Sequence, residues 1–268
     1  MINPLRIFSK FGVLCLLLTI NSHAAESYQL EIGAGIVAGQ LPTYPGSPDN
    51  HQFLLPFPYI YYQDDSLTID RQVINDKLFS IHNVTLSISA AGSIPVDSKN
   101  SRLRKDMPDI GWIGELGPAL TYKLNKSSKL AWQIHKASSW QHGKYVNAGW
   151  RSNLAFTWRK EVDSLVNIGD LTINSEVSFH FADSKYHHIF YGIDPQYVTA
   201  ERQKHIAVNG LTNIQFSLGA TWRYNNLWLG MYAKHISLTG AANSDSPLLT
   251  EERQTSIGLA IAWIFIDK

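Results

Sequence analysis

Ser178, His180 and Glu176 fall on alternate positions of "LTINSEVSFHFA" (171–182). These are the residue types from which a hydrolase assembles a nucleophile, a base and an orienting acid. In an extended strand all three share one face. Neighbours on that face stand about 6.6 Å apart by the rise per residue, so no direct Ser178–His180 bond is expected. No G-x-S-x-G stretch occurs, and that motif belongs on a strand–turn–helix. The residues therefore predict no catalytic group, only polar side chains turned toward an interior.

Other reactive residue types are no stronger as sites. Tyr186-His187-His188 offers adjacent imidazoles that point apart, with no third ligand beside them. Asp64, Asp65, Asp70 and Asp76 do not follow the alternating spacing of a calcium loop, so neither a metal nor a cofactor is expected. "RLRKD" (102–106) is a short basic run. It reads first as a solvated loop and second as a contact for lipopolysaccharide phosphate.

The elements that position these residues are strands. In "TSIGLAIAWIFIDK" (255–268), Ile257, Leu259, Ile261, Trp263 and Phe265 alternate with Gly258, Ala260 and Ala262. The same period recurs in "IQFSLGATWRY" (214–224), "LAWQIHKASSW" (130–140), "WIGELGPALTYKL" (112–124) and "SNLAFTWR" (152–159). Strict alternation of this kind predicts half-buried strands, and no helix of ten residues is expected. Several runs reach about 11–13 residues, longer than the usual globular strand of about 5–6 and enough for a tilted membrane crossing of roughly 9–11. Tyr122, Trp132, Trp158, Trp222, Tyr224, Trp228, Trp263 and Phe265 sit near strand ends, where a barrel carries its interfacial aromatic girdle. The opposite faces place Glu31, Glu115, Lys123, Gln133, His135, Arg159, Glu176, His180 and Arg223 toward a lumen.

The front of the chain suits export. Arg6 and Lys10 precede an apolar run from Phe11 to Ile20, then small residues with Ala24 or Ala25 as a cleavage point, the layout of a signal peptide. The one cysteine, Cys15, lies within it after Leu14, which excludes a lipoprotein signal and leaves residues 26–268 without thiols. With residues 1–25 removed, 21 basic and 22 acidic side chains remain, a net of −1, and no nucleic-acid partner is expected. Residues 26–268 then form one domain.

Connection lengths set the topology. Strands are expected near 28–40, 52–62, 66–91, 112–124, 129–140, 149–160, 169–182, 211–225, 226–239 and 254–266, with long loops at 41–51, 92–111, 141–148, 183–210 and 240–253. This is an all-β transmembrane antiparallel barrel of about ten strands, with 66–91 as one over-long passage, bulged or carrying a small hairpin. Twelve is the alternative, with the extra pair drawn from 183–210. In strand 227–238 either Leu227, Leu229 and Met231 or Trp228, Tyr232 and Ile236 face lipid. A lumen of this size fills with paired charges, since open channels come at about 16–18 strands. A binding or scaffold protein is thus favoured over a general porin, with a narrow solute channel as the second reading.

Four stretches resemble one family. "GAGIVAGQLPTYPGSPDN" (33–50), "ELGPALTYKL" (115–124), "FYGID" (190–194) and "ISLTGAANSDSPLL" (236–249) are similar, in order, to the MipA/OmpV family. Thr239 and Asn243 depart from its pattern of Leu or Gly and an acidic residue, and Ile266, Asp267 and Lys268 extend past the usual terminal aromatic. The resemblance implies a barrel in the outer membrane of a Gram-negative envelope, in contact with outer-membrane lipid. It implies a scaffold for cell-wall synthase and hydrolase enzymes, in a family also linked to permeability.

Overall fold

The alternating segments form twelve antiparallel strands closed into a barrel. The computed structural model describes residues 28–69, 74–93, 95–141, 144–162 and 169–268. The expected signal peptide (1–25), its cysteine Cys15, its cleavage point and Asp70 lie outside the described residues. In chain order the strands are β1 (Gln29–Pro42), β2 (Asn50–Gln63), β3 (Leu67–Ile69), β4 (Ile74–Ile81), β5 (Val84–Ser93) and β6 (Trp112–Lys123). Then follow β7 (Ser128–Gln141), β8 (Lys144–Val162), β9 (Asp170–Ala182), β10 (Gly210–Tyr224), β11 (Leu227–Ser237) and β12 (Arg253–Asp267). Each strand pairs with its sequence neighbours, and β1 closes on β12. One α-helix, α1 (Ser184–Tyr191), lies between β9 and β10, followed by a short 3-10 turn at Pro195–Tyr197. No helix among the described residues is long and apolar enough to cross a membrane.

The twelve-strand alternative is the one realised, but its extra pair comes from a different place. The passage expected over 66–91 is three strands, of which β3 and β4 have only 3 and 8 residues. Two added strands preserve the up–down parity. Residues 43–49, 95–111, 183–209 and 238–252 therefore all emerge at one rim, the loop rim, opposite the two ends of the barrel chain. The segment 183–210 supplies α1 and loops instead of strands. The long loop expected at 141–148 is mostly strand as well, since Gln141 pairs with Lys144 at the top of a long hairpin.

The wall is uneven. β2 pairs with β1 along its whole length, from Gln29↔Gln63 to Pro42↔Asn50. Among the described residues it pairs with β3 only at Tyr62↔Ile69 and Gln63↔Thr68. Pro56 and Pro58 lie in the part of β2 beyond those two pairs. A proline cannot donate to a ladder and sits at sheet edges for that reason.

The last strand shows why its two faces differ. Ile257, Leu259, Ile261, Trp263 and Phe265 point outward and are 48–64% exposed, forming part of an apolar outer belt. Gly258, Ala260 and Ala262 point inward, where aromatic rings need the room. A Cβ on Gly258 would stand 2.3 Å from the Tyr232 ring, and one on Gly35 would stand 2.7 Å from Phe57. Tyr59 and Trp228 pack inside against Ala262 and Ile264, with Phe57 and Tyr61 alongside. This resolves the register of β11: Leu227, Leu229 and Met231 face out, while Trp228, Tyr232 and Ile236 face in. Trp228, expected among the interface aromatics, is 7% exposed and belongs to the interior. Tyr122, Trp132, Trp158, Trp222, Tyr224, Trp263 and Phe265 all lie on the outer face.

Candidate functional site

Just beneath the loop rim, inward side chains from five strands and α1 meet in one polar cluster. The register puts His135 of β7 directly opposite Arg151 of β8, and His180 of β9 opposite Asn153, two residues along β8. Arg151 donates from Nη1 to both oxygens of Glu115, at 3.1 and 2.9 Å. Its Nη2 reaches His180 Nδ1 at 2.8 Å, and His180 Nε2 lies 3.0 Å from Ser178 Oγ. On the other side His135 Nδ1 lies 3.6 Å from Glu115, and Ser89 Oγ lies 2.7 Å from His135 Nε2. Tyr186, the third residue of α1, comes down from above and donates to Glu115 Oε1 at 3.0 Å. Asp183 fixes that helix by accepting from the Tyr186 amide at its N-terminus.

The Ser178–His180 contact corrects the sequence reading. Backbone spacing alone forbids it, but the imidazole leans back along the strand and covers the gap. Its polarity is nevertheless wrong for catalysis. Arginine has no acceptor, so His180 Nδ1 must be the lone-pair nitrogen and Nε2 must carry the proton. That Nε2–H donates to Ser178 Oγ, whereas a base must accept from its serine. Ser89, His135 and Glu115 do follow the order of a triad. Yet 3.6 Å is beyond hydrogen-bond range, and the Glu115 carboxylate is already engaged by Arg151 and Tyr186. Ser89 is 1% exposed, so a carbonyl would reach its Oγ only by displacing the material above it.

The remaining expected lumen residues occupy lower levels. Gln133 accepts from Asn153, and Glu176 accepts from Thr157. Tyr59 donates to Glu31 at 2.8 Å near the rim that carries the chain ends. There Arg223 pairs with Asp267 at 2.8 Å and stands 3.8 Å from Glu31. Lys123 and Arg159 are exposed at that same rim, Arg159 beside Glu161. The structure thus unites Glu115, His135 and His180, brings Glu31 and Arg223 together at the opposite rim, and leaves Lys123, Gln133, Arg159 and Glu176 apart from both groups. Ser89 and Arg151 were missed although the alternation of their strands already turned them inward; Tyr186 had no local signal.

Over the cluster lies a cap built from the long loops. Tyr44, Val96, Met107, Ile110, Phe190, Tyr191, Leu238, Leu248 and Leu249 form its buried apolar core. Tyr44 donates to the Leu248 carbonyl, and Gly46 accepts from the amides of Thr250 and Glu251. Ser246 donates to the Tyr191 carbonyl. Burial is the main force on the Tyr44 phenol, pushing it up to about 12, so it stays a donor. His187 is buried; its ring lies 2.6 Å from the Val208 carbonyl and 2.8 Å from Thr212 Oγ1, and burial holds it below its ordinary value. The basic run at 102–106 is not a free patch. Arg102 is bound to Asp49, while Arg104 is buried, donates to the carbonyls of Phe190 and Pro108, and lies over the Tyr44 ring.

A family model described as "MltA-interacting protein MipA" matches residues 32–265. The chain belongs to this MipA family. Three of the four stretches that carried the resemblance, around Tyr44, Tyr191 and Ser246, interlock in the cap. One departure also finds a reason there: Asn243 Nδ2 donates to the Val208 carbonyl while Oδ1 accepts its amide, and a carboxylate could do only the second. Together, the family and the closed barrel with an apolar outer belt make this MipA family member an outer-membrane-type β-barrel protein. No curated protein matches it. Among solved structures, LpxR from Salmonella typhimurium is similar at 7% identity and a TM-score of 0.37, covering 87% of this chain and 100% of LpxR. The Pseudomonas putida toluene transporter TodX aligns at 10% identity and a TM-score of 0.27, covering 91% and 69% of the two chains. A mutant of the Rh. blastica porin aligns at 9% and 0.28, covering 88% and 100%. These likenesses are too distant to bear on function.

Proposed function

We propose that this MipA family member is a non-enzymatic scaffold in the Gram-negative outer membrane, delivered by a cleaved signal peptide. Its capped loop rim faces outward, and its short turns and chain ends face the periplasm. The observation that carries this reading is the capped, charge-filled lumen. A loop cap with its own buried core lies over a cluster in which Glu115 accepts from Arg151 and Tyr186, Arg151 reaches His180, and His135 bonds Ser89. Such an interior favours a binding protein over a general solute pore. The family's description as MltA-interacting supports a cell-wall enzyme as partner. Among the described residues that side offers the short turns 64–66, 82–83, 124–127 and 225–226 and the residues near Tyr28 and Lys268, little surface to set against the roughly 800 Å² per partner of a stable complex. The association expected is therefore transient.

Two measurements test the proposal together. Folded protein in a planar bilayer should give no discrete conductance steps, and crosslinking in the envelope should capture peptidoglycan synthases or hydrolases through the turn rim. Reproducible steps with no captured enzyme would overturn it and leave the narrow channel as the function.

A further inference from the structure

The outer wall from β6 to β9 is apolar through its middle, with residues such as Leu120, Leu154, Phe156 and Phe179 half exposed. Lys136 interrupts it. Its register partners Leu116 and Trp150 are outward residues, so the lysine stands on the lipid side of the wall. It is the ninth residue of β7, which places it roughly 20 Å above the turn rim along a tilted strand. The apolar band of such a barrel is about 25 Å tall, so this is the upper interface, where a cation is tolerated; at the midplane it would be costly.

The ammonium is held in place. Lys136 Nζ lies 4.8 Å from the centroid of the Trp150 ring, a cation–π contact. Trp150, 50% exposed, is at the level of Lys136, and Trp112 and Tyr145, 55% and 63% exposed, lie next to residue 140, four residues further toward the loop rim on the same outer wall. Tyr145 and Ser138, the next outward residue after Lys136 on β7, share a hydrogen bond of 2.8 Å and add hydroxyls to the patch. Among the described residues no carboxylate forms an ion pair with Lys136. A fixed cation without a counter-ion, flanked by amphipathic rings at headgroup depth, is complementary to an anion carried on an acyl chain.

We infer that Lys136, Trp150, Trp112 and Tyr145 form a binding site on the barrel's outer wall for the phosphorylated headgroup of an outer-leaflet lipid. The ammonium takes the phosphate, and the indoles lie along the headgroup and the first methylenes of the chains.

Native mass spectrometry of the detergent-purified full chain tests this, with bisphosphorylated lipid A, the same lipid without phosphates, and inorganic phosphate as probes. The wild type should retain one lipid A, and Lys136→Gln should bind it roughly fivefold more weakly, the effect of one interfacial cation. Lys136→Arg should restore binding, and the dephosphorylated lipid should bind wild type no better than lipid A binds Lys136→Gln. The mobility of unheated Lys136→Gln on a gel should match wild type, which separates lost binding from lost folding. The inference is overturned if Lys136→Gln retains lipid A at wild-type level or if the dephosphorylated lipid binds equally. Competition by inorganic phosphate at the concentration of lipid A would likewise overturn it, as that marks a site for the free anion.

Discussion

Glu115 and Arg151 hold the lumen cluster together, and replacing each with an apolar residue should reveal a large coupling. The Glu115 side chain is 1% exposed and accepts from Arg151 at 2.9 and 3.1 Å and from Tyr186 at 3.0 Å. In Glu115→Leu the guanidinium keeps its contact with His180 but loses its carboxylate, and the Tyr186 hydroxyl loses its acceptor. Removing one partner of a buried pair costs about 3–5 kcal/mol. Arg151 is 29% exposed to the lumen, so water recovers part of this and the loss should be about 3 kcal/mol. Arg151→Met strands the less exposed carboxylate and should cost somewhat more. The double variant should lie within about 1–2 kcal/mol of wild type, because an apolar pair of similar volume often replaces a buried ion pair without loss. The coupling in the cycle, the two single losses less that of the double, is then at least about 4 kcal/mol. Urea unfolding in detergent, followed by tryptophan fluorescence and by gel mobility of unheated samples, measures all four proteins. Additive losses, or a Glu115→Leu cost below about 1 kcal/mol, would refute the reasoning, since both mean that the carboxylate is solvated.

Three further outcomes follow from the same structure. Trp228→Ala should cost about 3–5 kcal/mol through the cavity left beside Tyr59 and Ile264, while Trp222→Ala on the outer face should cost clearly less; unfolding midpoints in one detergent compare them. His187 sits neutral in the cap with its value lowered by burial. Its contribution is therefore complete above about pH 6.5 and is lost as pH falls toward the lowered folded value, so cap proteolysis should accelerate on acidification. His187→Gln should remove that acid-dependent increment. A fluorophosphonate probe should leave Ser89 and Ser178 unlabelled in the folded protein; adduct on either serine, located by peptide mass spectrometry, would contradict the non-enzymatic assignment.

What could be read in advance was whatever depends on the two-residue period. The face of β12, the inward direction of Glu115, His135 and His180, and the outward direction of Trp132 and Trp263 all follow from alternation. It failed where both faces are apolar: in β11, Trp228 and Leu229 are equally plausible outside until the glycines opposite show which side needs space for rings. It also failed at β3 and β4, too short to establish a period. The candidate site was half legible. The walls came from strands, but Tyr186 arrives from α1, and its contact with Glu115 spans 71 residues. The Ser178–His180 bond escaped because backbone spacing says nothing about how far a ring leans along its strand.

The uneven wall of the barrel has a mechanical meaning. β1 and β12, where the chain ends meet, are joined by ten register pairs from Glu31↔Asp267 to Gln40↔Ile257. The joint between β2 and β3 has two among the described residues. Pulled sideways, the cylinder should part at this internal joint before it parts where its ends meet. A disulfide engineered across Tyr62 and Ile69 should therefore raise the rupture force in single-molecule pulling more than one across Ala34 and Trp263. The prolines of β2 make the same joint a poor template for a foreign strand. Among the described residues, the joint with the fewest pairs thus also carries the prolines that hinder invasion by another chain.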